Sequence, residues 1–186
     1  MARRAAARKD LRLFVALDPP ARVCSEVEAW ARQTAGLHRE MRAVPAANCH
    51  ITLAFLGSCD VSTLAALECA LESAGSSVRE LSLGAPVWLP RKRPRALALE
   101  VHDGLGELED CHSRLAAALD EAIGWRPERR FRPHLTAARM SRGLSPGEVT
   151  LPVSPIQDFD GEAVTLYQSQ LLAEGARYEA LARIQL

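Results

Sequence analysis

Two histidines and two threonines share one spacing in this chain. His50 and Thr52 stand two apart in NCHITLAFLG (48–57), and His134 and Thr136 stand two apart in RPHLTAARM (132–140). Both stretches are otherwise apolar enough to be strands. In a strand, residues i and i+2 share a face. His50 and Thr52 therefore project together, and Ile51 and Leu53 go to the opposite side. An imidazole takes or gives a proton near neutrality. A threonine hydroxyl donates to a non-bridging phosphate oxygen, and arginine supplies charge beside it. Nothing nearby is a covalent nucleophile with a partner, and no carboxylate set suits magnesium. The chemistry that asks only for an acid, a base and a phosphate clamp is metal-free in-line attack on a phosphodiester. A 2′,3′-cyclic phosphate, with its strained ring, is an apt substrate. One such motif alone reads as a strand with a structural histidine; two copies in a repeated frame carry the catalytic reading.

The frame is visible in the spacing. The two motifs are 84 residues apart, and the same offset carries LFVAL (13–17) onto LALEV (97–101). After the first strand, Asp18-Pro19-Pro20 reads as a helix start. Val23, Val27, Trp30 and Thr34 then recur at helical spacing up to Gly36. After the second strand, Asp103 opens a helix with a stripe of Leu108, Cys111, Leu115, Leu119 and Ile123, ended by Gly124. Each half reads strand, helix, then a strand carrying His-x-Thr, and such self-similarity fixes architecture. A further helix is expected over 60–75, a strand broken by Pro86 over 81–89, and closing strands over 163–172 and 178–186. Residues 141–158 read as a connecting loop. The expected fold class is α+β, with two pseudo-symmetric lobes. Each lobe is an antiparallel sheet with outer helices, and the His-x-Thr strands face a central cleft. One domain spans 1–186, with residues 1–10 as a flexible tail.

The bulk numbers restrict the partners. Formal net charge is zero, so no global field recruits nucleic acid, and any anion site must be local. Of 23 basic residues only Lys9 and Lys92 are lysines, and arginine suits phosphate better. The basic stretches PRKRPR (90–95) and ERRFR (128–132) read as RNA contacts or as solvated loops. Arg130 and Arg132 are favoured because they directly precede His134. Five cysteines without a CxxC outline neither a zinc ribbon nor a disulfide framework. Cys49 is expected in the core, and His38, His102 and His112 are read as structural or exposed. No metal or cofactor is expected. No run approaches the ~18 apolar residues of a membrane span, so no membrane contact and a cytoplasmic location are expected.

The motifs HITLAFLG and HLTAAR resemble the paired HxTx motifs of the 2H phosphoesterases. The chain is most similar to the RNA 2′,3′-cyclic phosphodiesterases known as 2′-5′ RNA ligases (the LigT/ThpR group). RLFVAL (12–17), Arg139 after the second motif, and SQLLAEGARYEAL (169–181) with its Ser-x-Leu and Gly-x-x-Tyr pattern agree. The resemblance covers roughly residues 11–186. It implies metal-free hydrolysis of RNA 2′,3′-cyclic phosphate ends to 2′-phosphate, and a reversible 2′-5′ ligation. A monomer is expected. It implies His50 as proton donor, His134 as proton acceptor, Thr52 and Thr136 on the phosphate, and Arg139 near it. Phe14 matches a position where members stack a base. Ala137 departs from the common leucine, on the side away from the cleft. From the residues alone, donor and acceptor stay interchangeable. Two other readings stand beside this one. The substrate is a small cyclic nucleotide, such as ADP-ribose cyclic phosphate, or a 2′-5′ oligoadenylate; or the fold is a non-catalytic nucleotide-binding module.

Overall fold

The computed structural model describes residues 10–75, 77–141, 144–155, 157–172 and 175–186. Its apolar, Leu- and Ala-rich stretches form strands β1 (Asp10–Asp18), β2 (Met41–Ala43), β3 (Ile51–Asp60), β4 (Leu81–Leu89), β5 (Ala96–Asp103), β6 (His134–Met140), β7 (Asp158–Phe159), β8 (Ala163–Leu172) and β9 (Gly175–Gln185). Among the described residues three α-helices lie between them: α1 (Ala21–Ala35), α2 (Leu64–Glu72) and α3 (Glu107–Ile123). The class is α+β. All pairing is antiparallel, in one sheet of order β7-β4-β5-β6-β3-β1-β8-β9, with β2 on β6.

That order is mirrored about the β6–β3 junction, which is one ladder pair wide, Ile51 opposite Leu135. The two expected sheets are thus halves of a continuous one. Within each half the repeat runs deep. Leu17 faces Ile51 and Leu99 faces Leu135, while Ala16 faces Thr52 and Ala98 faces Thr136. The ladder shifts at the same place in both, between Val15 and Ala16 and between Leu97 and Ala98. The true offset of the flanking strands is therefore 82 residues (17 to 99), against 84 (51 to 135) for the motif strands. The uniform 84 expected from sequence is two residues out on β1, because a run of apolar residues carries no mark of register.

The helices cross between halves. α1 packs on β2 and β6, and α3 packs on β3 and β5 and against α2. Leu108, Cys111, Leu115 and Leu119 of α3 are fully buried. Each large apolar side chain removed from water in this way contributes roughly 1.5–3 kcal/mol. The Asp103 carboxylate accepts from the backbone N–H groups of Leu108 and Glu109, 3.0 Å each, closing the helix start as expected. Gly124, at φ 69°, ends it in the left-handed conformation that a side chain would resist. Asp18 does not cap α1. It closes β1, the helix follows Pro20 without a side-chain cap, and the Asp18 carboxylate is spent inside the sheet. Short β2 and β7 were not expected, since two or three residues show no periodicity. Asp10 already pairs with Asp60 in the β1–β3 ladder, and the rest of the expected tail lies outside the described residues. No helix is long and apolar enough to cross a membrane among the described residues.

Candidate active site

The Ile51–Leu135 pair sets the geometry. Continuing that antiparallel register one residue each way puts His50 opposite Thr136 and Thr52 opposite His134. Ile51 and Leu135 are fully buried, so the four polar side chains share the other face at the seam. His50, Thr52, His134 and Thr136 are all half-buried there. In both motif strands the alternation then slips. Leu53 and Ala54 are both buried, as are Ala137 and Ala138, so Phe55 and Arg139 come to the open face. These two stand at equivalent positions; Phe55 is 69% exposed. Such irregularities re-aim side chains near sites. Ala137 lies on the buried side, as expected.

Each histidine is tied back in the same way. His50 Nδ1 donates to the carbonyl of Asn48 at 2.8 Å, and His134 Nδ1 donates to the carbonyl of Arg132 at 2.7 Å. A carbonyl only accepts, so both rings carry the Nδ1 proton, and Nε2 is left to exchange one. Burial pushes His50 down to about 4, with Arg139 and His134 adding repulsion against the Asn48 bond. His134 is also lowered, first by burial and then by Arg139 and Arg132.

The surroundings of the two rings differ. His50 is 4.9 Å from Phe14 and 5.3 Å from Tyr178, ring centre to ring centre. Phe14 is 3% exposed, stacked on Tyr167 at 5.2 Å and edge-on to Tyr178 at 4.9 Å. Both its faces are covered, so it offers none to a base and instead braces His50. The expectation of base stacking at Phe14 came from the family resemblance, which says nothing of what this chain packs against the ring. Tyr167 is anchored in turn. Its hydroxyl donates to Asp18 Oδ1 at 2.8 Å, and Thr165 Oγ1 donates to Oδ2 at 2.7 Å. Burial and this carboxylate push the Tyr167 phenol up.

His50, Thr136 and Arg139 open onto a cleft of about 600 Å³ that is also walled by Arg42, Asn48, Arg177 and Tyr178. Asn48 Nδ2 donates to the carbonyl of Ala176 at 3.0 Å and so joins the wall to β9. Arg130 and Arg132 do not reach this cleft. They line a separate hollow of about 410 Å³ with Glu100, His102, Glu109 and Phe131, and Arg132 is 3.9 Å from Glu100. His112 is buried against Phe131 at 4.1 Å, as a structural histidine. Arg42, Asn48, Arg177 and Tyr167 were missed in sequence because nothing local marks them. Tyr178 was visible only as the last residue of Gly-x-x-Tyr. No cluster of three His, Cys, Asp or Glu able to hold a metal occurs among the described residues.

The profile of the 2′-5′ RNA ligase superfamily matches residues 19–169. TT0787 of Thermus thermophilus superposes with a TM-score of 0.80 at 25% identity, over 95% of this chain and 98% of that one. Escherichia coli LigT in complex with NADP+ gives 0.75 at 26% identity, over 96% and 98%. The same protein complexed with phosphate gives 0.72 at 25% identity, over 96% and 98%. No curated protein sequence matches.

Proposed function

The chain belongs to the 2′-5′ RNA ligase superfamily, within the 2H phosphoesterases, and from that premise we propose that it hydrolyses RNA 2′,3′-cyclic phosphate ends to 2′-phosphates without a metal. His134 Nε2 takes a proton from water as the water oxygen bonds to phosphorus. The P–O3′ bond breaks on the opposite side, and His50 Nε2 gives its proton to the departing 3′ oxygen. Thr52 and Thr136 donate to the non-bridging oxygens, and Arg139 balances their charge. With a 5′-hydroxyl end in place of water, the same steps make a 2′-5′ linkage: His134 takes the hydroxyl proton as its oxygen bonds to phosphorus, and the P–O3′ bond breaks with the proton from His50. What carries the reading is the single ladder pair that brings two His-x-Thr sets onto one face, each ring held through Nδ1. The LigT complexes with NADP+ and with phosphate support a ligand of nucleotide and phosphate chemistry.

The experiment is hydrolysis of an oligoribonucleotide ending in a 2′,3′-cyclic phosphate, with product ends identified. We expect a 2′-phosphate and equal rates in EDTA and in added magnesium. Loss of turnover on chelation, or a 3′-phosphate product, overturns the proposal.

A further inference from the structure

In-line attack has a direction, and the strand order gives it one in this sheet. The nucleophile meets phosphorus on the side of His134, and the 3′ oxygen leaves on the side of His50. His134 opens β6, His50 directly precedes β3, and β5 lies beyond β6 in the order β5-β6-β3. A nucleophile therefore comes in from the β5 side. The 410 Å³ hollow lies there. Glu100 of β5 stands opposite His134 in the ladder, so the two side chains share a face, and His102 follows two residues on. Both line the hollow, together with Arg132 and Pro133, which directly precede His134.

Water needs no such hollow, but a larger alcohol does. The Phe131 ring lies on His112 with centres 4.1 Å apart and planes 5° from parallel. His112 is buried, and Phe131 also lines the hollow, so one face of the ring is backed and the other is open. A backed aromatic face is a platform on which a nucleobase stacks. Glu100 and Glu109 offer acceptors to ribose hydroxyls and base amines, and Arg130 offers a cation to a phosphate. The two carboxylates oppose a phosphate at the end of the strand and tolerate a neutral hydroxyl.

We propose that this hollow receives the 5′-hydroxyl end of a second RNA strand, with its first base stacked on Phe131 and its next phosphate at Arg130. This rests on the cyclic-phosphate reading, with His134 as the base, and adds the strand that replaces water. The 5′ O–H proton goes to His134 Nε2 as the O5′–P bond forms. The P–O3′ bond breaks, and the 3′ oxygen takes the proton from His50 Nε2.

The test mixes an oligoribonucleotide ending in a 2′,3′-cyclic phosphate with a 5′-hydroxyl oligoribonucleotide, and reads the ratio of 2′-5′-linked to hydrolysed product. Both products use the same histidines, so the ratio isolates the acceptor. A second acceptor lacks its first base. In the parent, its ratio should be roughly tenfold lower, the loss of one stacked base. Phe131→Leu, which keeps apolar bulk over His112, should lower the ratio for the complete acceptor to that of the abasic one. Arg130→Gln should lower it for both acceptors, with hydrolysis unchanged. Equal ratios for the two acceptors in the parent overturn the subsite, as do ratios unchanged in both variants shown to be folded by circular dichroism. Hydrolysis with no linked product at any acceptor concentration also overturns it, and leaves the cyclic-phosphate reading standing. Failure to open the cyclic end at all defeats that reading instead.

Discussion

The two half-sites start from one plan and end in different surroundings. In the first, continuing the β1–β3 register one residue past Leu17–Ile51 brings Asp18 opposite His50, and Asp18 is buried and bonded by Thr165 and Tyr167. In the second, the partner of His134 is Glu100, beside Arg132 at the rim of an open hollow. His50 is clamped among Phe14 and Tyr178, and it is the more strongly lowered of the two. The slip after each motif brings Phe55 forward in one half and Arg139 in the other. Backbone symmetry thus makes the two imidazoles geometrically equivalent, and packing makes them chemically distinct. A base that works on water suits the open side. A donor that must aim at one oxygen suits the braced side.

The sharpest way to break this comparison is to remove each ring in turn. His50→Ala and His134→Ala should each lose ~10²–10⁴-fold in turnover, and the double variant little more than either, because one step needs both. A substrate whose leaving group needs no proton should rescue His50→Ala and not His134→Ala. The opposite rescue would reverse the roles.

Titration separates the rings next. A histidine lowered from its usual 6.5 to about 4 binds fewer protons folded than unfolded across that window. Stability therefore rises with pH through the window, and falls as pH drops from about 6.5 towards 4, by up to ~3 kcal/mol. Denaturant unfolding at several pH values should show this slope, and His50→Ala should flatten it more than His134→Ala. In kinetics, a bound phosphate opposes the desolvation of His50⁺. The alkaline limb of kcat should then lie at higher pH than that of kcat/KM, which reports the empty enzyme. Coincident limbs would mean that the phosphate does not sit against His50.

The threonines should restore the symmetry. Thr52→Ala and Thr136→Ala should each weaken transition-state binding by ~1–3 kcal/mol with the fold intact, and similar losses are expected because both face a small alanine across their ladder. An unfolded Thr52→Ala protein would make that hydroxyl structural.

The smallest effect belongs to the brace. Tyr167→Phe removes the Asp18 bond and leaves the ring stack, at a cost of ~1 kcal/mol in stability. It should lower kcat with KM little changed and shift the limb assigned to His50, while the limb assigned to His134 stays. If both limbs move equally, the tyrosine acts on the fold at large.

What could be read from the sequence follows from where the information is local. His-x-Thr is a face assignment made by two residues, and α3 announces itself with an acidic start, an apolar stripe and a terminal glycine. The strands 81–89 and 163–172 were legible from composition, with the bounds found in the structure. The register of β1 against β3 was not, because it depends on a ladder shift at Val15–Ala16. Phe14 was expected to bind a base because it matches a family position, and a matched position does not show that Tyr167 and Tyr178 pack against its ring. Arg42 and Arg177 are 135 positions apart, and only the folded sheet brings both to one cleft.

The one-pair seam between β3 and β6 has a consequence for how the chain folds. So short a ladder carries little cohesion of its own, yet α1 of the first half covers β6 of the second, and α3 of the second covers β3 of the first. Each half borrows its roof from the other. Each half depends on the other for cover over its apolar strands, so the duplicated plan should melt in one cooperative transition. A chain severed between α2 and β4 should yield two pieces that become ordered only in each other's company.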